Sequence, residues 1–301
     1  MFTVITTITR TIVLLMLFHY CYGFDVSSCN FLDLSHDFSN NVPVFPVFTP
    51  VNFTITYAGP YKSAPFLTYG YVCSYEHIST HIDAPVHFNI DGNSVEQIEL
   101  DQLIGEACVI DVSEKAKNDN NYQMTVNDIK DWEFKYGTLP KNAILLMSSG
   151  HYKKFNDPKQ YFGTDNIKDA STFKYPAFAP DVGQWLLDNR KIRAFGVDTI
   201  SFDVAKDGIF PNHQVLLGAN IPGMENMANL DKLPPRGSTV FLLPTKIKGG
   251  TGAWTRAFAI GWNGPRDPCR NDINSLAMGI FQKSVPFMEL LVLTIFLMIV
   301  R

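Results

Sequence analysis

Short apolar runs recur along the middle of the chain, and glycine, proline, asparagine and aspartate interrupt them. Runs of this kind that are rich in β-branched and aromatic residues are typical of β-strands. The pattern predicts strands at Phe66–Tyr75, Ala107–Val112, Ala143–Met147, Ala194–Val197, Thr239–Leu243 and Ala257–Ile260.

Helical patterns lie between these strands. Thr125, with Asp128 three residues later, is typical of a helix N-cap, and Gly137 suits the end of that helix. A second helix is predicted over Asp181–Arg190, where apolar residues recur at helical spacing after a proline.

A third helix is expected to open after Gly223 and to run to about Leu230. Strands therefore outnumber helices, and the two do not alternate strictly. This order predicts an α/β fold with a single mixed-sheet domain, and it argues against a doubly wound parallel sheet.

The first residues of the chain are apolar. Arg10 precedes the stretch Thr11–Phe18, and Cys21 and Gly23 offer the small residues that a signal peptidase requires. The pattern predicts a signal peptide over residues 1–23 and a mature domain over 24–270. A buried N-terminal helix or a signal anchor is the alternative.

The last residues, 271–301, form a spacer and a second apolar stretch, Val285–Val300, which contains Glu289. This stretch is shorter than the roughly 20 apolar residues that a spanning helix needs. Small residues near Ser275 and Ala277 favour a GPI-anchor signal. A membrane anchor that spans the bilayer and a packed terminal helix remain alternatives.

Four cysteines would remain after cleavage of the signal peptide: Cys29, Cys73, Cys108 and Cys269. An even count in an oxidising compartment permits two disulfides, in three possible pairings. Cys73 lies close to the histidine-rich segment described below, and we expect a disulfide or core cysteine there before a metal ligand. Asn52 begins the one glycosylation sequon. We therefore expect a secreted or cell-surface glycoprotein.

The charge balance excludes some partners. The formal net charge is −4, and no run of lysine or arginine stands out. Nucleic acid and acidic membrane surfaces are therefore poor candidates, so that a membrane would be reached only through the C-terminal anchor.

Three histidines and an aspartate are concentrated between positions 77 and 87: His77, His81, Asp83 and His87. Their even spacing would place all four on one side of an extended chain, with apolar residues on the other. Full extension would separate His77 from His81 by ~13 Å, too far for two ligands of one ion. The chain must therefore curl between them, whereas His81 and Asp83 can remain neighbours on a strand.

Imidazole nitrogens and a carboxylate are suitable ligands for Zn²⁺ or Mn²⁺ in a site with an open position. The alternative is a polar strand whose histidines form only local hydrogen bonds. Three histidines and an aspartate that an extended chain would place on the same side favour the metal site.

The segment resembles the H-x-G-T-H-x-D-x-P-x-H motif of the metal-dependent cyclase family, which includes bacterial-type kynurenine formamidases and isatin hydrolases. It differs only at Ser79, where the family has glycine, and glycine would ease a positive φ in the curl. The similarity extends over about Phe31–Trp262. Its other parts are Asp33–His36, Val42–Pro46, Gly196–Ser201, His213 with Glu225, and the glycine-rich loop Pro244–Arg256.

The resemblance implies a swivelling β/β/α domain, and commonly a homo-oligomer. It also implies that His77, His81 and Asp83 bind one divalent ion, and that Asp83 bridges to a second ion held by His213 and Glu225. His87 would then act as general base and acid. Whether one or two ions bind, and whether they are zinc or manganese, stays open.

These expectations favour a metal-dependent amidohydrolase that opens an N-formyl or cyclic amide on an aromatic scaffold. A non-catalytic binding protein that keeps the fold and the metal is the alternative. Aromatic side chains available to line a substrate pocket are Phe45, Phe66, Trp132, Phe178 and Trp185.

Overall fold

A closed ring of seven β-strands organises the fold. The strands are β1 Leu32–Asp33, β2 Asn52–Tyr61, β3 Ala64–Cys73, β4 His81–Asp83, β5 Ile104–Asp111, β6 Gln123–Met124, β7 Ile144–Ser148, β8 Ala177–Phe178, β9 Ala194–Val197, β10 Gly223–Glu225, β11 Arg236–Pro244 and β12 Gly252–Ile260. The helices are α1 Ser113–Asn118, α2 Val126–Tyr136, α3 Pro158–Phe162 and α4 Val182–Asn189, with a π-helical turn at His213–Leu217.

The computed structural model describes residues 29–206 and 208–262, and residues 31–262 form one compact unit. The signal peptide at 1–23, the tail at 271–301 and the domain limits at 24 and 270 lie outside the described residues and stay predictions. Within the described ranges, no helix is both long and apolar enough to cross a membrane.

The strand order around the ring is β12, β11, β5, β7, β9, β10 and β4, and β4 pairs back onto β12. Strands β5, β7, β9 and β10 run parallel to one another, whereas β11, β12 and β4 join them in antiparallel pairs. The short strand β1 adds to β12. This mixed sheet confirms the predicted single mixed α/β domain.

Both faces of the central strands are buried. On β5, Ala107 and Val109 belong to a core cluster with members on all seven ring strands, which places that cluster inside the ring. The alternate residues Cys108 and Ile110 pack in a second cluster with residues of α2 and α4. Because successive side chains of a strand point to opposite faces, the nearly continuous apolar run of β5 contributes to both core clusters.

The predicted strands all lie on observed strands, and two of the three predicted helices are confirmed as α2 and α4. Thr125 caps α2, because its hydroxyl accepts from the Asp128 amide while the Asp128 carboxylate accepts from the Thr125 amide. Gly137 follows the helix at a φ of 88°. The apolar pattern does not predict β2.

The third predicted helix is wrong. Residues 223–225 form β10, which pairs in parallel with β9 and antiparallel with β4. Only a short 3₁₀ turn at Leu230–Lys232 follows. Pairing with two neighbouring strands satisfies the backbone of this buried segment, and it overrides the local helical pattern.

The permitted pair of disulfides does not form. Cys29 is disulfide-bonded, whereas Cys73 and Cys108 are free. Cys73 is also exposed at the end of β3, so the expectation of a disulfide or core cysteine is wrong at that position.

Gly223 is required by close packing inside the fold. A Cβ at this position would lie 2.5 Å from the Phe195 ring. We expect Gly223→Ala to destabilise the protein by about 1–3 kcal/mol, because overpacking a core forces its neighbours to shift. Urea unfolding monitored by circular dichroism measures the change. Gly218→Ala is the control, because nothing lies within 4 Å of a Cβ there. Equal effects of the two substitutions would contradict the packing argument.

Candidate metal centre

Two adjacent strands place three of the predicted ligands together. In the register of β4 and β10, His81 lies opposite Glu225, and Ile82 lies opposite Met224. Ile82 and Met224 point into the ring as part of its core. His81, Asp83 and Glu225 therefore point to the other side, where all three are buried.

The chain curls just before β4, as the sequence predicts. Ser79 has a φ of 58°, the left-handed conformation that glycine would adopt most easily. The bend brings the His77 ring to 5.4 Å from the His81 ring. His81 and Asp83 remain strand neighbours on β4.

His213 comes from a different part of the chain. It begins the π-helical turn that precedes β10, a geometry often found at functional sites. The Phe202 ring stacks on its imidazole at 3.7 Å. The structure thus brings together all five predicted ligands.

Asp83 lies at the centre of this cluster. Its Oδ1 is 2.7 Å from His77 Nδ1 and 3.2 Å from His81 Nε2, and its Oδ2 is 3.5 Å from His213 Nε2. The Glu225 oxygens lie 3.5 Å from His81 Nε2 and 3.4 Å from His213 Nε2. The two oxygens of Asp83 therefore face different histidines, which is the arrangement expected of a bridging carboxylate.

Hydrogen bonds on the outer side fix the tautomers of two histidines. His81 Nδ1 donates to the Ser79 carbonyl at 2.9 Å, and His213 Nδ1 donates to Asp203 at 2.8 Å. A neutral imidazole carries one proton, so that in the neutral rings the Nε2 atoms that face Asp83 and Glu225 would offer lone pairs.

His77 is also held by a hydrogen bond on its outer side, but there the bonded nitrogen is Nε2 rather than Nδ1. Its Nε2 lies 2.9 Å from the Thr251 hydroxyl, which itself donates to Glu76 at 2.7 Å. The Thr251 oxygen is then the acceptor for Nε2–H. His77 Nδ1 lies 2.7 Å from Asp83 Oδ1, a contact that requires a proton or a cation between the two atoms. Gly252 makes this approach possible, because a Cβ there would lie 2.6 Å from the His77 ring.

A cation fits this donor set. Lone pairs of nitrogen and oxygen face one another in a buried space, and His81 Nε2 is buried with no hydrogen-bond partner. Two sets of ligand atoms lie within 4.8 Å of one another: His77, Asp83 and His87, and His81, Asp83 and Glu225. Nitrogen and carboxylate ligands suit zinc and manganese.

The pKa values of two histidines reflect the negative charge of the buried carboxylates beside them. Burial opposes protonation of His213, but Asp203, Asp83 and Glu225 outweigh it and raise the pKa of His213 well above its usual value. In His81, burial is likewise outweighed by Asp83 and Glu225, and the pKa rises. The buried carboxylates therefore demand positive charge, which either protons or a bound cation can supply.

His87 stands at the accessible side of the cluster. It ends the 3₁₀ turn Pro85–His87, and its ring stacks on His77 at 4.0 Å. Burial lowers the pKa of His87 to about 4. The imidazole is consequently neutral near pH 7 and able to accept a proton.

The sequence analysis does not identify three residues that hold the ligands from outside: Asp203, Thr251 and Glu76. Asp203 accepts from the His213 ring and amide and also from Asn212. Thr251 lies in the glycine-rich loop already singled out, but a single hydroxyl or carboxylate has no distinctive spacing. Only the fold reveals that these residues contact ligands.

The predicted aromatic lining is wrong. Trp132 and Phe178 belong to the core cluster beneath α2 and α4, and Trp185 packs against it. Phe45 packs on Phe173 in a separate core cluster, and Phe66 lies exposed on β3.

Other phenylalanines lie beside three histidines of the cluster. Phe88 contacts the rings of His87 and His213, Phe210 contacts Phe88 and His213, and Phe48 stacks on His77. Aromatic residues are common in protein cores, so their chemistry alone could not distinguish these three from the five predicted.

The closed mixed barrel thus carries a buried group of histidines and carboxylates that could hold a metal ion, beside the partly exposed His87. The Cyclase family model ("Putative cyclase") matches residues 32–204, more than half of the chain. The chain belongs to the cyclase family.

The relatives agree with this assignment. The chain is 28% identical over 248 residues to an isatin hydrolase of Roseibium aggregatum, a match that covers 80% of this chain and 90% of that protein. It is 24% identical to a kynurenine formamidase of Bacillus cereus, with 77% of this chain and 98% of that protein covered. The structure of isatin hydrolase A from Ralstonia solanacearum superposes with a TM-score of 0.70 at 27% identity, over 77% of this chain and 92% of that chain. These matches confirm the fold class and the family resemblance.

We expect Asp83→Ala to abolish specific metal binding, because Asp83 belongs to both sets of candidate ligand atoms. Purified wild-type protein should hold roughly one or two divalent ions per chain, which inductively coupled plasma mass spectrometry counts after dialysis. Asp231→Ala is the control, since that carboxylate pairs with Lys153 elsewhere. Metal retained by folded Asp83→Ala protein would contradict the assignment.

Asp203 should act on metal affinity through the orientation of His213. We expect Asp203→Ala to weaken binding by about 10- to 100-fold, as is typical for residues that orient a ligand. Competition with a chromophoric chelator measures the affinity. Asp198→Asn is a matched control, because Asp198 is also a buried carboxylate but accepts from Ser149 and Gly150. It should lower stability and leave metal affinity unchanged; equal loss of affinity in both variants would assign the effect to general destabilisation.

Proposed function

We propose that this chain is a metal-dependent hydrolase that cleaves a carbon–nitrogen amide bond. The observation that carries the proposal is the convergence of histidine lone pairs on Asp83, with the neutral His87 at the accessible side. The named activities of the relatives, isatin hydrolase and kynurenine formamidase, support the same reaction class.

A divalent cation held by these residues would supply Lewis acidity toward an amide carbonyl and a water molecule. His77, His81, Asp83, His213 and Glu225 would hold it, and their outer hydrogen bonds keep the ring nitrogens aimed inward. Zinc and manganese are both suitable.

His87 would move the proton. A neutral imidazole with a depressed pKa can accept a proton from the attacking water, and it readily gives that proton up again. Delivery to the departing nitrogen matters because an amide nitrogen leaves poorly as an anion. The backbone bond from the His87 amide to the Ala84 carbonyl and the stacking on His77 hold the ring in place for both steps.

The substrate proposal follows from the phenylalanines that lie beside the histidine cluster. Phe48, Phe88 and Phe210 lie beside His77, His87 and His213, and a planar aromatic group would pack between them. We propose an N-formyl arylamine such as N-formylkynurenine, or a cyclic amide such as isatin, as the substrate class.

His87→Ala should retain the metal yet lower kcat by about 10²- to 10⁴-fold, the usual contribution of general acid–base catalysis. Absorbance assays on N-formylkynurenine, isatin and a simple lactam, with zinc- and manganese-loaded protein, provide the measurement. His36→Gln is the control, because the His36 ring stacks on Phe155 and belongs to neither set of candidate ligand atoms. Its contact with Thr80 uses the backbone amide, which the substitution keeps.

Unchanged turnover in metal-loaded His87→Ala would show that His87 does not act as the general base and acid. Wild-type protein that binds metal but opens none of these amides would favour the other reading, a non-catalytic binding protein that keeps the cyclase fold.

A further inference from the structure

A recess lies beside the segment that curls before β4. Its cavity of about 490 Å³ falls within the range of roughly 300–1,000 Å³ that is usual for small-molecule sites. Ser79 and Thr80 line it, whereas the five candidate metal ligands and His87 do not. The recess is therefore separate from the metal centre, although it touches the same segment of chain.

One side of the recess is aromatic. The rings of Phe38 and Trp254 both line it, and their centroids lie 4.7 Å apart at an angle of 46°. The Trp254 indole donates to the Tyr75 carbonyl at 2.8 Å, which holds this ring in place. Phe53 and Val72, which pair across the hairpin of β2 and β3, add to the apolar lining. Such a surface suits a further planar ring, which can pack by offset stacking or edge to face.

The charged groups of the recess leave one carboxylate without a cation. Arg256 donates to both oxygens of Asp33, at 3.1 and 2.7 Å, so that these two charges neutralise each other. Asp37 also lines the recess, and the lysine and arginine ion pairs of the described ranges all involve other carboxylates. A free carboxylate beside aromatic rings attracts a cation, because the ring faces carry partial negative charge as well.

Ser79 adds a hydrogen-bonding group to this lining. The residue is 2% exposed, and within the described ranges its hydroxyl is buried without a hydrogen-bond partner. A buried polar group that stays unbonded costs free energy, which a ligand that bonds to it would recover. The motif has glycine at this position elsewhere in the family, so the hydroxyl is a feature of this chain and not of the shared metal-binding motif.

We propose that this recess binds a small molecule in which a short linker joins an aromatic ring to a protonated amine. The ring packs against Phe38 and Trp254, and the ammonium group donates to the Asp37 carboxylate and to the Ser79 oxygen. An ammonium group has three donors and no acceptor, which matches these two oxygen acceptors. Its charge-assisted hydrogen bond to Asp37 favours an amine over an anion of the same shape.

Isothermal titration calorimetry with phenethylamine tests this proposal on the zinc-loaded, full-length gene product as the producing cell processes it. Hydrocinnamate has the same ring and linker but carries a carboxylate in place of the amine, and butylamine lacks the ring. We expect phenethylamine to bind and both analogues to bind at least tenfold more weakly, because each of them loses one of the two contacts.

Two substitutions locate the binding site. Asp37→Asn should weaken phenethylamine binding about tenfold or more, the loss expected for one hydrogen bond to a charged group. Asp131→Asn is the matched control, because Asp131 is an exposed carboxylate on α2 that does not line the recess. Ser79→Gly removes the hydroxyl at a φ of 58°, which suits glycine. It should weaken binding and leave metal content and thermal unfolding unchanged.

No binding of phenethylamine up to millimolar concentration would overturn the proposal, and so would equal binding of hydrocinnamate or butylamine. Folded Asp37→Asn or Ser79→Gly protein that binds phenethylamine as tightly as wild type would also overturn it, because the amine would then occupy another site, such as the metal centre. None of these measurements involves turnover, so their outcome is independent of the proposed reaction.

Discussion

Asp83 is 1% exposed, and both of its oxygens face histidine ring nitrogens. A buried carboxylate in this setting is costly unless positive charge is close. Glu225 increases the cost, because it lies beside the same histidines. Positive charge is therefore needed among these groups, from protons or from a bound cation, and outer hydrogen bonds hold the histidine rings that face it.

The closed barrel supplies the rigidity that such a site requires. Strands β4 and β10 are only three residues long, yet β4 pairs with both β10 and β12 and β10 pairs with both β9 and β4. Ile82 and Met224 anchor them in the inner core and so determine which side chains face outward. The glycine at position 252 lets the neighbouring strand approach His77 closely, so that barrel closure and ligand orientation depend on the same contact.

The metal-binding cluster and the hairpin formed by β2 and β3 are connected through a short stretch of chain. Strand β3 ends at Cys73, and His77 follows four residues later. Tyr75, between them, accepts from the Trp254 indole and packs on Phe48, which also stacks on His77.

The sequence by itself determined the local chemistry of the site. The even spacing of His77, His81 and Asp83, the curl at Ser79 and the strand-like pair at β4 all follow from residue type and from distances along one short segment. Periodicity likewise predicted the buried strands and the helix capped by Thr125, because burial of both faces and N-capping leave local patterns.

Only the tertiary structure decided the contacts that join distant segments. The helix expected after Gly223 is a strand because β9 and β4 pair with it, and no local pattern encodes that pairing. Asp203 and Thr251 orient His213 and His77 from loops whose sequences carry no distinctive spacing. The phenylalanines around the site could not be separated from those of the core, because an aromatic side chain has the same sequence pattern in either place and only packing assigns it.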